Sequence, residues 1–192
     1  MAVALATVSG TPCRTYLPIP PMTSLPDAEA LYAELRRAVQ TAIAQLPEGS
    51  VHLVGIHSGG AWLAERLHAD LKLPGRPGAL NISFYRDDFD RIGLHHQVLP
   101  SDIPFDVNGK HLILVDDVLY TGRTIRGAMN ELFDYGRPAS IQLAVLVDRG
   151  GRELPVAAAL CAAHIDVPAN TSINLTRDGD RFAISLETSA DA

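Results

Sequence analysis

Cysteine is scarce in this chain. Cys13 and Cys161 are the only two in 192 residues, and no Cys/His spacing of a zinc site exists. A disulfide framework is therefore not expected, and Cys161, inside an apolar run, reads as a small core residue. No apolar stretch approaches the length needed to cross a bilayer. The mildly apolar start, Met1-Ala2-Val3-Ala4-Leu5-Ala6, lacks the basic residues that open a secretory signal. Cytoplasmic location without membrane partners is the resulting expectation. Basic residues are also in deficit, with a net charge of −6. This argues against a generic nucleic-acid binder but leaves room for anionic small molecules, because a local Mg²⁺ reverses the sign of a site. Internal repeats and low-complexity tracts are absent as well.

Hydrophobic residues make up 47% and charged residues 20%, enough for one domain with a real core. Residues 1–25 are rich in Pro, Thr and Ser and predict a flexible N-terminal arm. Residues 26–192 read as a single domain. Asp27 is placed to cap a helix running to about Gln45, with Leu31, Leu35, Ala38 and Ala42 on one apolar face. Val51–Ile56 predicts a buried strand, and His57-Ser58-Gly59-Gly60 turns into a helix through Leu63 and Leu67. Ala79–Tyr85 predicts a strand, and residues 86–108, with Gly93, Pro100 and Pro104, a long excursion. Further strands are expected at Ile141–Val147, Val156–Ile165 and Arg181–Leu186, with a helix over Ile125–Tyr135. Strands alternating with helices imply an α/β fold, a mainly parallel twisted sheet flanked by helices. Such folds bind ligands beyond the C-terminal ends of the strands.

The richest stretch is Leu112-Ile113-Leu114-Val115-Asp116-Asp117-Val118-Leu119-Tyr120-Thr121-Gly122-Arg123-Thr124. Its apolar run reads as a buried parallel strand. Two carboxylates directly after such a run are costly without partners, a ligand or a metal. Because successive side chains on a strand point to opposite faces, both acids can serve one site only where the strand is ending. The turn that follows offers hydroxyls and backbone N–H groups at a helix start, an anion site. The plainer alternative is a strand end with an Asp cap and a Thr-Gly turn. The acid pair in register with the apolar run favours a site for a diol or metal and a phosphate.

Two other loops also follow predicted strands. Gly55-Ile56-His57-Ser58-Gly59-Gly60 could bring backbone N–H groups to an anion, although Gly-Gly alone is more often a simple turn. Val147-Asp148-Arg149-Gly150-Gly151-Arg152-Glu153-Leu154-Pro155 offers fixed polar groups for a base. It reads equally as a charged turn in which Asp148 pairs with Arg149, or Arg152 with Glu153. In Phe84-Tyr85-Arg86-Asp87-Asp88, Arg86 opens either a solvated loop or a lid; Arg91, His95 and His96 read as solvated residues.

The Val115–Thr124 stretch resembles the ribose-phosphate signature of type I phosphoribosyltransferases. Read with Phe84–Asp88, Gly136–Gly150 and Arg152-Glu153-Leu154-Pro155, the chain resembles the PyrR family over about residues 27–156. That family comprises pyrimidine-operon regulators with uracil phosphoribosyltransferase activity. The resemblance implies the reaction uracil + phosphoribosyl pyrophosphate (PRPP) → UMP + diphosphate, with Mg²⁺ as cofactor. It implies that Asp116 and Asp117 meet the ribose hydroxyls and, directly or through PRPP, the Mg²⁺. Tyr120, Thr121, Gly122, Arg123 and Thr124 would hold PRPP at its 5-phosphate, and His57, Ser58, Gly59 and Gly60 the pyrophosphate, with a non-proline cis peptide near His57-Ser58. Tyr120, Val147, Asp148 and Arg149 would enclose the base, and a flexible lid carrying Arg86 would close over PRPP. A homodimer or larger assembly is also implied, with the first helix as one candidate interface.

Three positions qualify the resemblance. Purine-salvage enzymes often carry Asp directly before the Thr-Gly; Tyr120 stands there and favours a pyrimidine. The pyrophosphate loop of familiar PyrR members reads Lys-Thr-Arg-Gly, so without that Arg neutralisation falls to backbone, Mg²⁺ and Arg86. RNA-binding members carry an Arg and a Lys after Arg-Glu-Leu-Pro, where this chain has Val156–Ala163. From Glu153 onward only Arg177 and Arg181 are basic, against six acids. RNA attenuation by the familiar mode is therefore not expected. The rival readings are a non-catalytic regulator sensing PRPP or UMP, and a phosphoribosyltransferase for another base.

Overall fold

A computed structural model describes residues 26–82 and 100–188. The elements run α1 (Ala28–Ile43), β1 (Val51–Ile56), α2 (Gly59–Asp70), β2 (Gly78–Leu80), β3 (His111–Leu119), α3 (Arg123–Tyr135), β4 (Ser140–Asp148), β5 (Leu160–His164), β6 (Thr171–Asp178) and β7 (Arg181–Thr188). Among these residues, five strands form one sheet in the order β2-β1-β3-β4-β5, every neighbouring pair parallel. Strands β6 and β7 form a separate antiparallel hairpin.

The sheet is covered on both faces, which is why its central strands are apolar nearly throughout. Alternation along β3 sends Ile113 and Val115 to one face and Leu112 and Leu114 to the other. The first face packs against Leu31, Leu35 and Val39 of α1, Leu63 and Leu67 of α2, and Ile173, Leu175 and Phe182 of the hairpin. The second packs against Ile125, Ala128 and Leu132 of α3. Asp27 caps α1 as its residue type predicts, accepting from the Glu29 N–H at 3.4 Å. The apolar stripe of α1, through Leu31, Leu35 and Val39, packs into this core.

Several boundaries differ from the sequence expectation. The strand expected over Ala79–Tyr85 begins at Gly78 and is paired only to Leu80. The strand expected from Val156 begins at Leu160, because residues 152–156 are drawn over the α3 N-terminus instead. Strand β6 has no counterpart in the sequence reading; its outward Ser172, Asn174 and Thr176 weaken the apolar signal that Ile173 and Leu175 carry. The return of the long excursion is anchored, with Asp102 bridged to Ala79 and Phe105 stacked on His52 at 4.0 Å between ring centres. The 1–25 arm, the lid candidate Arg86 and the residues read as solvated, Arg91, His95 and His96, lie outside the described residues.

Candidate active site

The order β1-β3-β4 places three strand ends side by side. The turns after them, at His57–Gly60, Tyr120–Thr124 and Asp148–Arg152, therefore meet along one edge. These are the loops that the sequence singled out, brought together by the parallel register.

Strand β3 does not end at the acids. Pairing with β4 continues from Asp116↔Val145 to Leu119↔Asp148. The two carboxylates consequently take different surroundings. Asp116 is only 2% exposed, and its Oδ1 accepts the Asp117 N–H at 3.1 Å. Asp117 is half-buried; its Oδ1 accepts the Val118 N–H at 3.0 Å. Its other oxygen lies against the start of α2: a Cβ added to Gly59 would stand 2.4 Å from Asp117 Oδ2. The neighbouring Gly60 is equally tight, with its added Cβ 2.3 Å from the Val115 carbonyl oxygen. The Gly-Gly pair is therefore more than a turn: it lets α2 start directly on the β3 backbone and brings a helix N-terminus to the Asp117 carboxylate, a favourable charge arrangement. His57 is half-buried and Ser58 exposed, and the peptide bond joining them is cis.

On the other side of the acids, Thr121 is buried and its Oγ1 accepts the Arg123 N–H at 3.3 Å. Its carbonyl accepts from the N–H groups of Glu153 and Leu154, at 3.0 and 3.1 Å. The turn ahead of α3 is thus sewn to the loop after β4. Arg123 pairs with Glu153 at 2.7 Å, but both side chains are about half exposed, so the pair adds little stability.

Tyr120 and Arg149 meet. The guanidinium carbon of Arg149 lies 4.0 Å from the centre of the Tyr120 ring, a cation–π stack. Arg149 is buried and donates to the Pro168 carbonyl at 3.2 Å; its Nε is buried with no partner among the described residues. The Arg149 N–H donates to the Leu119 carbonyl at 3.1 Å. Asp148 pairs with Arg152 at 2.5 Å, and Arg123 with Glu153, so neither pairing expected from the sequence forms. Val147 does not present its side chain to the site; it is fully buried in the face covered by α1. The residue that sequence reasoning undervalued is Arg152, read there as a surface partner. It bonds five groups of the two loops.

Comparison with known proteins agrees with this architecture. The family model described as phosphoribosyl transferase domain matches residues 21–167. The bifunctional protein PyrR of Nitrosococcus oceani is 51% identical over 160 residues, 82% of this chain and 90% of the relative. That of Ralstonia nicotianae is 50% identical over 165 residues, 84% and 94% of the two chains. The chain belongs to the PyrR family of phosphoribosyltransferases. Solved structures show the same fold at lower identity. The hypoxanthine phosphoribosyltransferase of Trypanosoma cruzi superposes with a TM-score of 0.57 at 20% identity, covering 85% of this chain and 96% of the other. The enzyme of Leishmania tarentolae in complex with GMP gives 0.54 at 19%, covering 73% and 79%. This PyrR-family chain has the type I phosphoribosyltransferase fold and is a phosphoribosyltransferase.

Among the described residues, no cluster of three or more His, Cys, Asp or Glu is built to hold a metal alone. The donors at the site, Asp116 and Asp117, are hard carboxylate oxygens. That set fits Mg²⁺, which favours one or two carboxylates with substrate phosphates and waters over an all-protein cage. No described helix is long and apolar enough to cross a membrane.

Proposed function

We propose that this chain transfers the phosphoribosyl group of PRPP to uracil, releasing UMP and diphosphate. The observation that carries the reading is the flanking of the acid pair: the α2 N-terminus stands beside Asp117 on one side and the Thr121–Thr124 turn follows on the other. An anion at each end with a diol between them is the outline of PRPP. In this reading Asp116 and Asp117 take the ribose hydroxyls, Thr121 to Thr124 the 5-phosphate, and the His57–Gly60 turn the pyrophosphate. Mg²⁺, held by pyrophosphate oxygens and the acids, would offset the charge that develops on the leaving group. The protein's share is positioning and electrostatic stabilisation of a ribosyl centre kept in line with the base.

The choice of uracil is supported by the PyrR relatives and by Tyr120, whose ring, backed by Arg149, offers a flat wall where a purine-reading carboxylate would stand. Turnover assayed with PRPP against a panel of uracil, orotate, hypoxanthine and guanine tests it. Uracil should be the preferred acceptor by at least about a hundredfold, a margin that fixed polar contacts can supply. Turnover of a purine in preference would overturn the base assignment, and turnover of none would favour a non-catalytic PRPP or UMP sensor.

A part in pyrimidine-gene regulation follows from the same relatives, with a partner other than leader RNA bound in the familiar way. Beyond Glu153 the only basic residues are Arg177 and Arg181. Arg177 is engaged, by Glu65 at 2.9 Å and the Gly179 carbonyl at 2.9 Å. Titration with leader RNA at rising salt should give weak binding; tight, sequence-specific binding would reverse this reading. We place the protein in the cytoplasm as a homodimer or larger assembly, which sedimentation of the purified protein tests.

A further inference from the structure

Arg152 ties together two loops that have separate duties. Its Nη1 donates to the carbonyl oxygens of Leu119 at 3.3 Å and of Tyr120, and to that of Gly150 at 3.0 Å. Its Nε donates to the Val156 carbonyl at 3.1 Å. Its Nη2 pairs with Asp148 Oδ2 at 2.5 Å. Leu119 and Tyr120 lead into the turn before α3; Asp148 ends β4, and Gly150 and Val156 belong to the loop after it. A planar guanidinium has five N–H donors in a fixed fork, so Arg152 can serve acceptors on both loops at once, with the Nη1 hydrogens shared among three carbonyls. The side chain is about a quarter exposed, and all of its carbonyl bonds but the one to Tyr120 are partly buried, which weakens screening by salt.

The geometry points to Arg152 as a positioning residue that fixes the phosphate-gripping turn relative to the base-enclosing loop, making two half-sites one rigid receptor. The inference rests on the functional reading above, in which a nucleotide spans both loops. Without Arg152 the α3 N-terminus still faces a phosphate, the Arg149–Tyr120 stack still backs a base, and the Thr121 carbonyl still joins the loops through the Glu153 and Leu154 N–H groups. Arg152 adds five further bonds that hold the separation and angle of the two half-sites. A ligand spanning two rigidly held half-sites gains an effective-concentration advantage that its fragments do not. Loss of the clamp should therefore weaken the whole nucleotide far more than either piece.

The test is calorimetric and NMR titration of wild type, Arg152→Ala and Arg152→Lys with UMP, ribose 5-phosphate, uracil and inorganic pyrophosphate. In Arg152→Ala, UMP affinity should fall about tenfold or more while each fragment stays within about threefold. Added guanidinium ion should restore part of the UMP affinity. Arg152→Lys keeps a cation beside Asp148 but lacks the fork, so it should fall between the two and guards against an alanine variant that does not fold. Equal loss of UMP and both fragments, in both variants, would show that the loops merely collapse. Unchanged UMP affinity with weakened pyrophosphate would make Arg152 a direct ligand of the leaving group. Either result overturns the clamp. Wild type that binds neither UMP nor ribose 5-phosphate would overturn the functional reading itself, and the clamp with it.

Discussion

Gly59 and Asp117 are matched across the α2–β3 contact: the absence of a side chain on one makes room for the carboxylate of the other, with 2.4 Å between an added Cβ and Oδ2. Gly59→Ala therefore forces Asp117 to move or α2 to lift. Helix propensity acts in the opposite direction, since alanine is better than glycine in a helix by roughly 0.5–1 kcal/mol. The two effects separate function from stability. Turnover should drop on the order of a hundredfold, the scale of a 1 Å misplacement of a catalytic group. The melting temperature should change by no more than about 4 °C. Steady-state rates beside a thermal melt decide the matter; wild-type rates would mean that the position of Asp117 is unimportant.

Asp117→Asn keeps shape and removes charge. If the carboxylate holds the ribose diol and supports Mg²⁺, kcat/KM for PRPP should fall by about 10²–10³, the usual cost of one electrostatic contact to a developing charge. Thr124→Ala removes one hydroxyl from the first turn of α3 and should cost about tenfold, chiefly in KM for PRPP. Circular dichroism should be unchanged in both. Full activity in both variants would sink the assignment of this edge as a PRPP site.

Much of this edge was legible in the sequence for a definite reason. A buried parallel strand is apolar on both faces, so Asp116 and Asp117 after Leu112–Val115 stand out, and the expected loops meet because β1, β3 and β4 are neighbours. Two kinds of information were not legible. Tertiary contacts decide whether Gly59 and Gly60 are a turn or a packing surface, and no local pattern carries the distance to Asp117. Arg152 was invisible as a hub because its acceptors are backbone carbonyls, which every residue has. Strand β6 hid for a third reason: its inward residues alternate with Ser172, Asn174 and Thr176, and a half-exposed strand leaves a weaker trace than a doubly covered one.

Gly151 faces the Tyr120 ring, its added Cβ lying 2.4 Å from Cε2, and its φ is +68°. Gly151→Ala meets both obstacles. The left-handed backbone costs about 1–2 kcal/mol for a residue with a Cβ, and the ring must swing from its stack under Arg149. Since Tyr120 is the proposed wall of the base pocket, KM for uracil should rise several-fold more than KM for PRPP. Varying each substrate at saturating levels of the other gives the two constants. A uniform rise in both would place the effect in loop stability and leave Tyr120 without a part in base binding.

Docking of the C-terminal hairpin should depend on pH through Glu29. Both its oxygens accept from Arg66, at 2.8 Å each, and Oε1 also accepts the Phe182 N–H of β7 at 2.7 Å. Arg66 in turn lies over Tyr32 at 4.1 Å and faces Phe182 at 5.1 Å. The hydrogen bond from Arg66 holds the Glu29 carboxyl below its ordinary value of 4.5, against the opposing effect of burial. A carboxylate with a depressed folded pKa stabilises fully above its unfolded value, and that contribution is lost as pH falls through the folded one. Glu29→Gln offers one oxygen instead of two and no charge. Because the pair is partly exposed, its loss should cost about 1 kcal/mol, or roughly 2–4 °C in melting temperature at neutral pH. Below the ordinary carboxylate value the wild-type curve should descend to meet that of the variant, which has no proton to take up at this position. Thermal melts of both proteins from neutral pH downward provide the check: an offset that persists undiminished into the acid range would assign the effect to packing around Arg66 and not to the charge on Glu29.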